Sequence, residues 1–151
     1  MYSEQTQSYH TSNHATIWRW REAYQHDFAA RIDWSNSPKY EDANHPPVAK
    51  LNHENEILVH SGETVTLSGQ ASTDPDGDVL TYKWFVYNEV GTMNVGRRGV
   101  IELQNADTHS VSFEAPATDK VETIHVILQV TDTGSPSLTR YQRVIVNVIP
   151  E

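Results

Sequence analysis

Ser68-Gly69-Gln70-Ala71-Ser72-Thr73-Asp74-Pro75-Asp76-Gly77-Asp78-Val79-Leu80-Thr81-Tyr82-Lys83-Trp84 is the stretch that decides the fold. Small residues close one extended segment, Asp-Pro-Asp-Gly-Asp makes a tight turn, and a second extended segment follows with Tyr82, Trp84 and Val86 at alternate positions. Gly77 is expected to take a positive φ in that turn, and the Asp side chains to accept backbone N–H bonds. If Trp84 fills the interior, alternation sends Lys83, Phe85 and Tyr87 to the outside.

Working outward, short runs of Val, Ile, Thr and aromatics recur, separated by Gly, Pro, Asn and Asp. The expected strands cover residues 48–51, 57–59, 64–68, 79–87, 100–103, 110–114, 122–131 and 138–149. Within them Val65 and Leu67, then Ile124, Val126, Leu128 and Val130, then Val144, Val146 and Val148 share inward parity. The fold class expected is all-β, an immunoglobulin-like antiparallel β-sandwich of about seven strands over residues 48–151, in which the central Trp84 is a core residue.

Ahead of the sandwich the period changes. Ile17, Trp20, Tyr24, Phe28 and Ile32 recur every three or four residues, which predicts one amphipathic helix over 16–34. Ser35, Asn36, Ser37 and Pro38 stop it, and residues 35–47 read as linker. A lone amphipathic helix cannot bury its own stripe. The stripe is expected to meet a domain preceding the helix, the sandwich being the other choice. In Trp18-Arg19-Trp20-Arg21 one Trp fits the stripe, Trp20, and the exposure of Trp18 and Trp34 is left open. The start of the chain, rich in Ser, Thr, Asn, Gln and Tyr, supports neither a core nor a targeting helix, and residues 1–10 lack a signal peptide's apolar stretch. It reads as a fragment of something longer.

Composition narrows the function classes. With 11 Lys+Arg against 20 Asp+Glu, a formal charge of −9 opposes binding to nucleic acid or to an acidic membrane surface. Zero Cys excludes disulfides, thiolate zinc sites and cysteine nucleophiles. No Gly-x-Ser-x-Gly elbow, phosphate loop or dinucleotide fingerprint occurs. Arg97-Arg98, between Gly96 and Gly99, reads as a hairpin tip, and the eight His as scattered surface imidazoles, His10 and His14 being the one i, i+4 pair.

The turn-to-Trp84 stretch resembles the polycystic-kidney-disease-like and related immunoglobulin-like modules. A narrower resemblance rests on His45-Pro46-Pro47-Val48, on the Asp-rich turn, on Thr123-Ile124-His125-Val126-Ile127-Leu128-Gln129-Val130-Thr131-Asp132, and on Leu138-Thr139-Arg140-Tyr141-Gln142-Arg143-Val144-Ile145-Val146. Together they look like the cellulose-binding C-terminal domain that follows a nucleoside-hydrolase-like domain in certain secreted bacterial proteins. Residues 15–34 resemble the end of that hydrolase-like domain, so residues 1–34 are expected to be its C-terminal helical remnant. The resemblance implies a secreted or periplasmic, non-catalytic module, since the aspartate cluster with which nucleoside hydrolases grip calcium lies on a sheet outside these residues.

Two sets of residues are candidates for function. Phe85, Tyr87, Ile127, Tyr141 and Ile145 gather on one outer sheet face if strands 79–87, 122–131 and 138–149 are neighbours, and a solvent-facing sheet ought to be polar. A β-glucan could stack on Phe85, Tyr87 and Tyr141 while Lys83, Gln129 and Arg143 bond its hydroxyls. Alternatively the upstream domain, or the helix carrying Trp20, Tyr24 and Phe28, packs there, making the sandwich a structural module. Asp74, Asp76 and Asp78 could ligate calcium, with Asp107 and Asp132 as further ligands. However, Val79 and Phe85 stand where an EF-hand needs its glycine and its glutamate. The other reading of the three Asp is a turn device. Residual enzyme activity on nucleosides or glycosides is the third class, and no pair of carboxylates can be argued into facing positions for it.

Overall fold

The computed structural model describes residues 2–3, 8–9, 14–93 and 101–151. Among the described residues six strands form the sandwich: β3 (Glu56–His60), β4 (Thr64–Ser68), β5 (Thr81–Val86), β6 (Ser110–Glu114), β7 (Glu122–Thr131) and β8 (Thr139–Ile149). Before them come β1 (Tyr2–Ser3) paired with β2 (Ser8–Tyr9), helices α1 (Ala15–Trp18) and α2 (Arg21–Asn36), and a 3-10 turn at Tyr40–Asp42. One sheet runs β3-β8-β7-β5 and the facing sheet pairs β4 with β6. This is an immunoglobulin-like, mostly β fold. Its edge pair β3 and β8 is parallel where an all-antiparallel sandwich was expected.

The expected segments 64–68, 110–114 and 122–131 coincide with β4, β6 and β7. Two expected strands do not form. Over 48–51, Val48 exchanges both backbone bonds with Thr73, but the Lys50 N–H then donates to Ser72 Oγ and no ladder continues. The preceding Pro46 and Pro47 bring no donors that could extend one. Over 100–103, Val100 lies outside the described residues. Ile101 and Leu103 pack against the core without pairing, the local bridge being Gln104 with Ser112. Alternation there reports burial, not a ladder.

Trp84 lies in the core with Leu67, Val111, Ile124, Val126 and Leu128, and its indole N–H donates to Thr108 O at 3.0 Å. Gly77 has φ +81°, as the turn requires. Gly69 is needed for a different reason: a Cβ there would overlap Leu128 Cδ2, so the backbone passes directly over that buried side chain. Residues Arg97 and Arg98, read as a hairpin tip, and His10 lie outside the described residues.

Candidate functional site

Strands β5, β7 and β8 are neighbours, and their register sets Phe85 beside Ile127 and Arg143, and Lys83 beside Gln129 and Tyr141. The expected parity is therefore present, with Trp84 inward and Phe85 outward. Yet the outer face is partly covered. Trp20 lies edge-on to Tyr141 with centroids 4.8 Å apart, and its ring is 6.0 Å from Phe85 and 6.2 Å from Tyr87. The Arg19 guanidinium sits 5.2 Å from the Tyr87 ring centroid and pairs with Glu89 at 2.9 Å. Ile127, on the outward parity of β7, is only 7% exposed, which breaks the strand's alternation where the cover falls. Burial, and then the Glu22 charge, push the Tyr141 phenol above its usual range.

The helix is interrupted to make this contact. Trp20 caps α2 with φ −99° and ψ 2°, outside the helical region, and its N–H bonds to Ile17 O in a tight three-residue step. From there α2 docks by small and polar residues: Ala30 is 1% exposed, Asp27 takes Arg140 at 2.9 Å, and the His26 ring N–H donates to Ser137 O at 2.9 Å. The hydrogen bonds from Arg31 and Arg140 hold the Asp27 carboxyl below the usual range, against the opposing effect of burial. The expected stripe is thus divided. Trp20 meets the sandwich, not a preceding domain, while Tyr24, Phe28 and Ile32 turn away from it and stay exposed, Phe28 at 66%. Tyr24 and Phe28, with Gln25, Asp27 and Arg31, line a shallow open depression along the helix.

The linker is a fixed part of the same structure. Trp34 donates its indole N–H to Asn44 O, and the Asn44 amide bonds Asp132 and Pro136 O. The His45 ring lies parallel to Trp34 and, at 3.5 Å, to Tyr40. Asp76 holds His45 twice, accepting from its backbone N–H at 2.6 Å and its ring Nδ1 at 3.2 Å. Linker composition gave no signal for this stack, and the expectation of scattered surface imidazoles fails at His26 and His45, whose rings hold the helix and linker to the sandwich.

Among the described residues, Asp74, Asp76 and Asp78 form the one group of three or more metal-type ligands whose atoms converge, all within 4.8 Å. Three of the six carboxylate oxygens accept hydrogen bonds. Asp74 Oδ1 accepts from the N–H of Asp76 and of Asp78, and Asp76 is taken up by His45. Asp132 accepts from Gly134 and Leu138 and is buried, and Asp107 is exposed outside the group. Partial burial, then the Asp74, Asp132 and Asp76 charges, push the Asp78 carboxyl up. One buried oxygen, Asp74 Oδ2, has no partner. The group serves the turn and His45 with three of its oxygens, and calcium would take six to eight.

A sandwich whose outer sheet face is partly covered by its own N-terminal helix defines an immunoglobulin-like β-sandwich module. The chain belongs to the family described as "Cellulose-binding protein Sde0182, C-terminal domain", whose model matches residues 64–148. Among solved structures it is similar to a nucleoside hydrolase-related hypothetical protein from Saccharophagus degradans that is associated with carbohydrate metabolism. That match has 36% identity and a TM-score of 0.82, and covers 91% of this chain and 34% of that one. This chain thus spans about a third of the length of that relative. The PKD domain from KIAA 1837 protein is similar at 19% identity, TM-score 0.46, covering 68% of this chain and 86% of that one. Among curated proteins nothing matches.

Proposed function

We propose that the chain is a non-catalytic accessory module that binds cellulose or a related plant polysaccharide within a larger, secreted hydrolase-like protein. Family membership over residues 64–148 carries this reading. An acidic chain of net charge −9 suits a neutral polyhydroxyl ligand better than an anionic one. Depletion of the 151-residue chain from solution by insoluble cellulose, with starch and chitin as controls, tests it. Saturable retention on cellulose is the expected result, and no retention on any glucan contradicts it. The chain should also leave nucleosides unhydrolysed.

A second role rests on the open side of α2. Tyr24, Phe28 and Ile32 form a stripe that the sandwich does not use, and a contiguous apolar stripe of this kind marks a surface meant to be covered. The solved relative has about two-thirds of its length beyond the part matched here, so the occupant we assign is a linked hydrolase-like domain. The module would then hold that domain at a set distance from the polysaccharide. Phe28→Asp should abolish its docking in the two-domain protein, and unchanged docking would sink the assignment.

A further inference from the structure

With Trp20 against Phe85, Tyr87 and Tyr141, the rings first considered for stacking are only partly exposed in this structure. Another ring is open and held still. Tyr40 is 64% exposed, and its ring lies parallel to His45, at an interplanar angle of 6° and 3.5 Å between centroids. His45 in turn lies within 1° of parallel to Trp34, over which the Arg31 guanidinium sits 5.6 Å from the centroid. The two Asp76 bonds fix His45, and the Trp34 bond to Asn44 O fixes Trp34. A chain of parallel groups thus runs from α2 through the linker and ends in a tyrosine open to solvent.

We propose that Tyr40 is a stacking platform for a pyranose ring of a neutral glucan, an assignment that rests on the carbohydrate-binding reading and supplies its site. A flat apolar ring immobilised before binding loses little freedom when a sugar's C–H face settles on it. Neighbouring Lys39, Glu41 and Asp42 are exposed and bring donors and acceptors to the sugar hydroxyls. The charge around the platform selects the ligand class. Glu41, Asp42 and Asp76 outnumber the cations Lys39 and Arg31 there, which disfavours phosphates and uronates, and a nucleotide would meet the same repulsion.

Affinity electrophoresis of the 151-residue chain through gels containing soluble β-glucan tests the platform. Tyr40→Ala should weaken retardation at least about tenfold, the scale of a lost aromatic anchor. Tyr40→Leu, apolar but without a flat face, should fail in the same way, and Tyr40→Trp should retain binding. Melting within a few degrees of wild type shows that the variants fold, as expected for an exposed ring. Wild-type retardation that persists in Tyr40→Ala and Tyr40→Leu overturns the platform while leaving carbohydrate binding standing. A wild-type chain that no glucan retards overturns the binding reading and the platform with it.

Discussion

Trp20→Ala removes the ring that partly covers the sheet face, and its cost can be worked from the geometry. The indole touches three aromatic rings and keeps part of its surface in solvent. Counting roughly 100–150 Å² of apolar surface returned to water at about 25 cal/mol per Å² gives about 3 kcal/mol. That agrees with the low end of large-to-small aromatic substitutions in enclosed sites, about 3–5 kcal/mol. For a chain of this size the melting temperature should fall by about 6–12 °C. A second readout is local. Burial holds the Tyr141 phenol above its ordinary value of 10.0, so uncovering it should bring its ultraviolet titration back down, with Tyr141→Phe identifying the signal. A fall below about 2 °C together with an unmoved Tyr141 titration would refute Trp20 as the cover of this face.

Three further outcomes follow from the same packing. Gly69→Ala should destabilise by about 1–3 kcal/mol, because the new methyl overlaps Leu128, and in denaturant melts Leu128→Ala should relieve part of that loss. His125 is held below its ordinary 6.5 by burial and then by Arg143, with its Nδ1 buried and unpartnered. Its unfolded state therefore binds the proton first, so the stability it contributes is complete above 6.5 and is lost as pH falls through the folded value. Melting temperature should drop on acidification below pH 6.5, and less steeply in His125→Gln. Calcium and chelator should give the same melting temperature within about 1 °C, since His45 and the turn already occupy Asp76 and Asp74 Oδ1; a rise of several degrees with calcium would reassign the Asp group as a metal site.

How much of this was legible in the sequence depended on what kind of signal each part carries. The strands at 64–68, 110–114 and 122–131 were readable to the residue because one face is buried, with period two strict over the first two and broken in the third at Ile127 alone. The outward turn of Phe85 followed from Trp84 by parity alone. The helix carrying Trp20 was one of the covers the sequence offered for that face, but how it docks was not readable, because α2 uses Ala30, His26 and Asp27, residues that a search for bulky apolar positions passes over. That search found Tyr24, Phe28 and Ile32, which form the other side of the helix. The helix break at Trp20 has no Gly or Pro to announce it, and it serves a tertiary contact seventy residues away at Glu89. The Tyr40, His45 and Trp34 stack was hidden for a similar reason, since its bonds run from the linker to a turn thirty-one residues on.

Backbone amide shifts of the labelled 151-residue chain, followed while a soluble cello-oligosaccharide is added, test the placement of the ligand most directly. The account predicts saturable shifts centred on Tyr40, Glu41 and His45, with β5 and β8 residues Phe85 and Tyr141 unmoved. Shifts centred instead on the sheet face beneath Trp20 would contradict it.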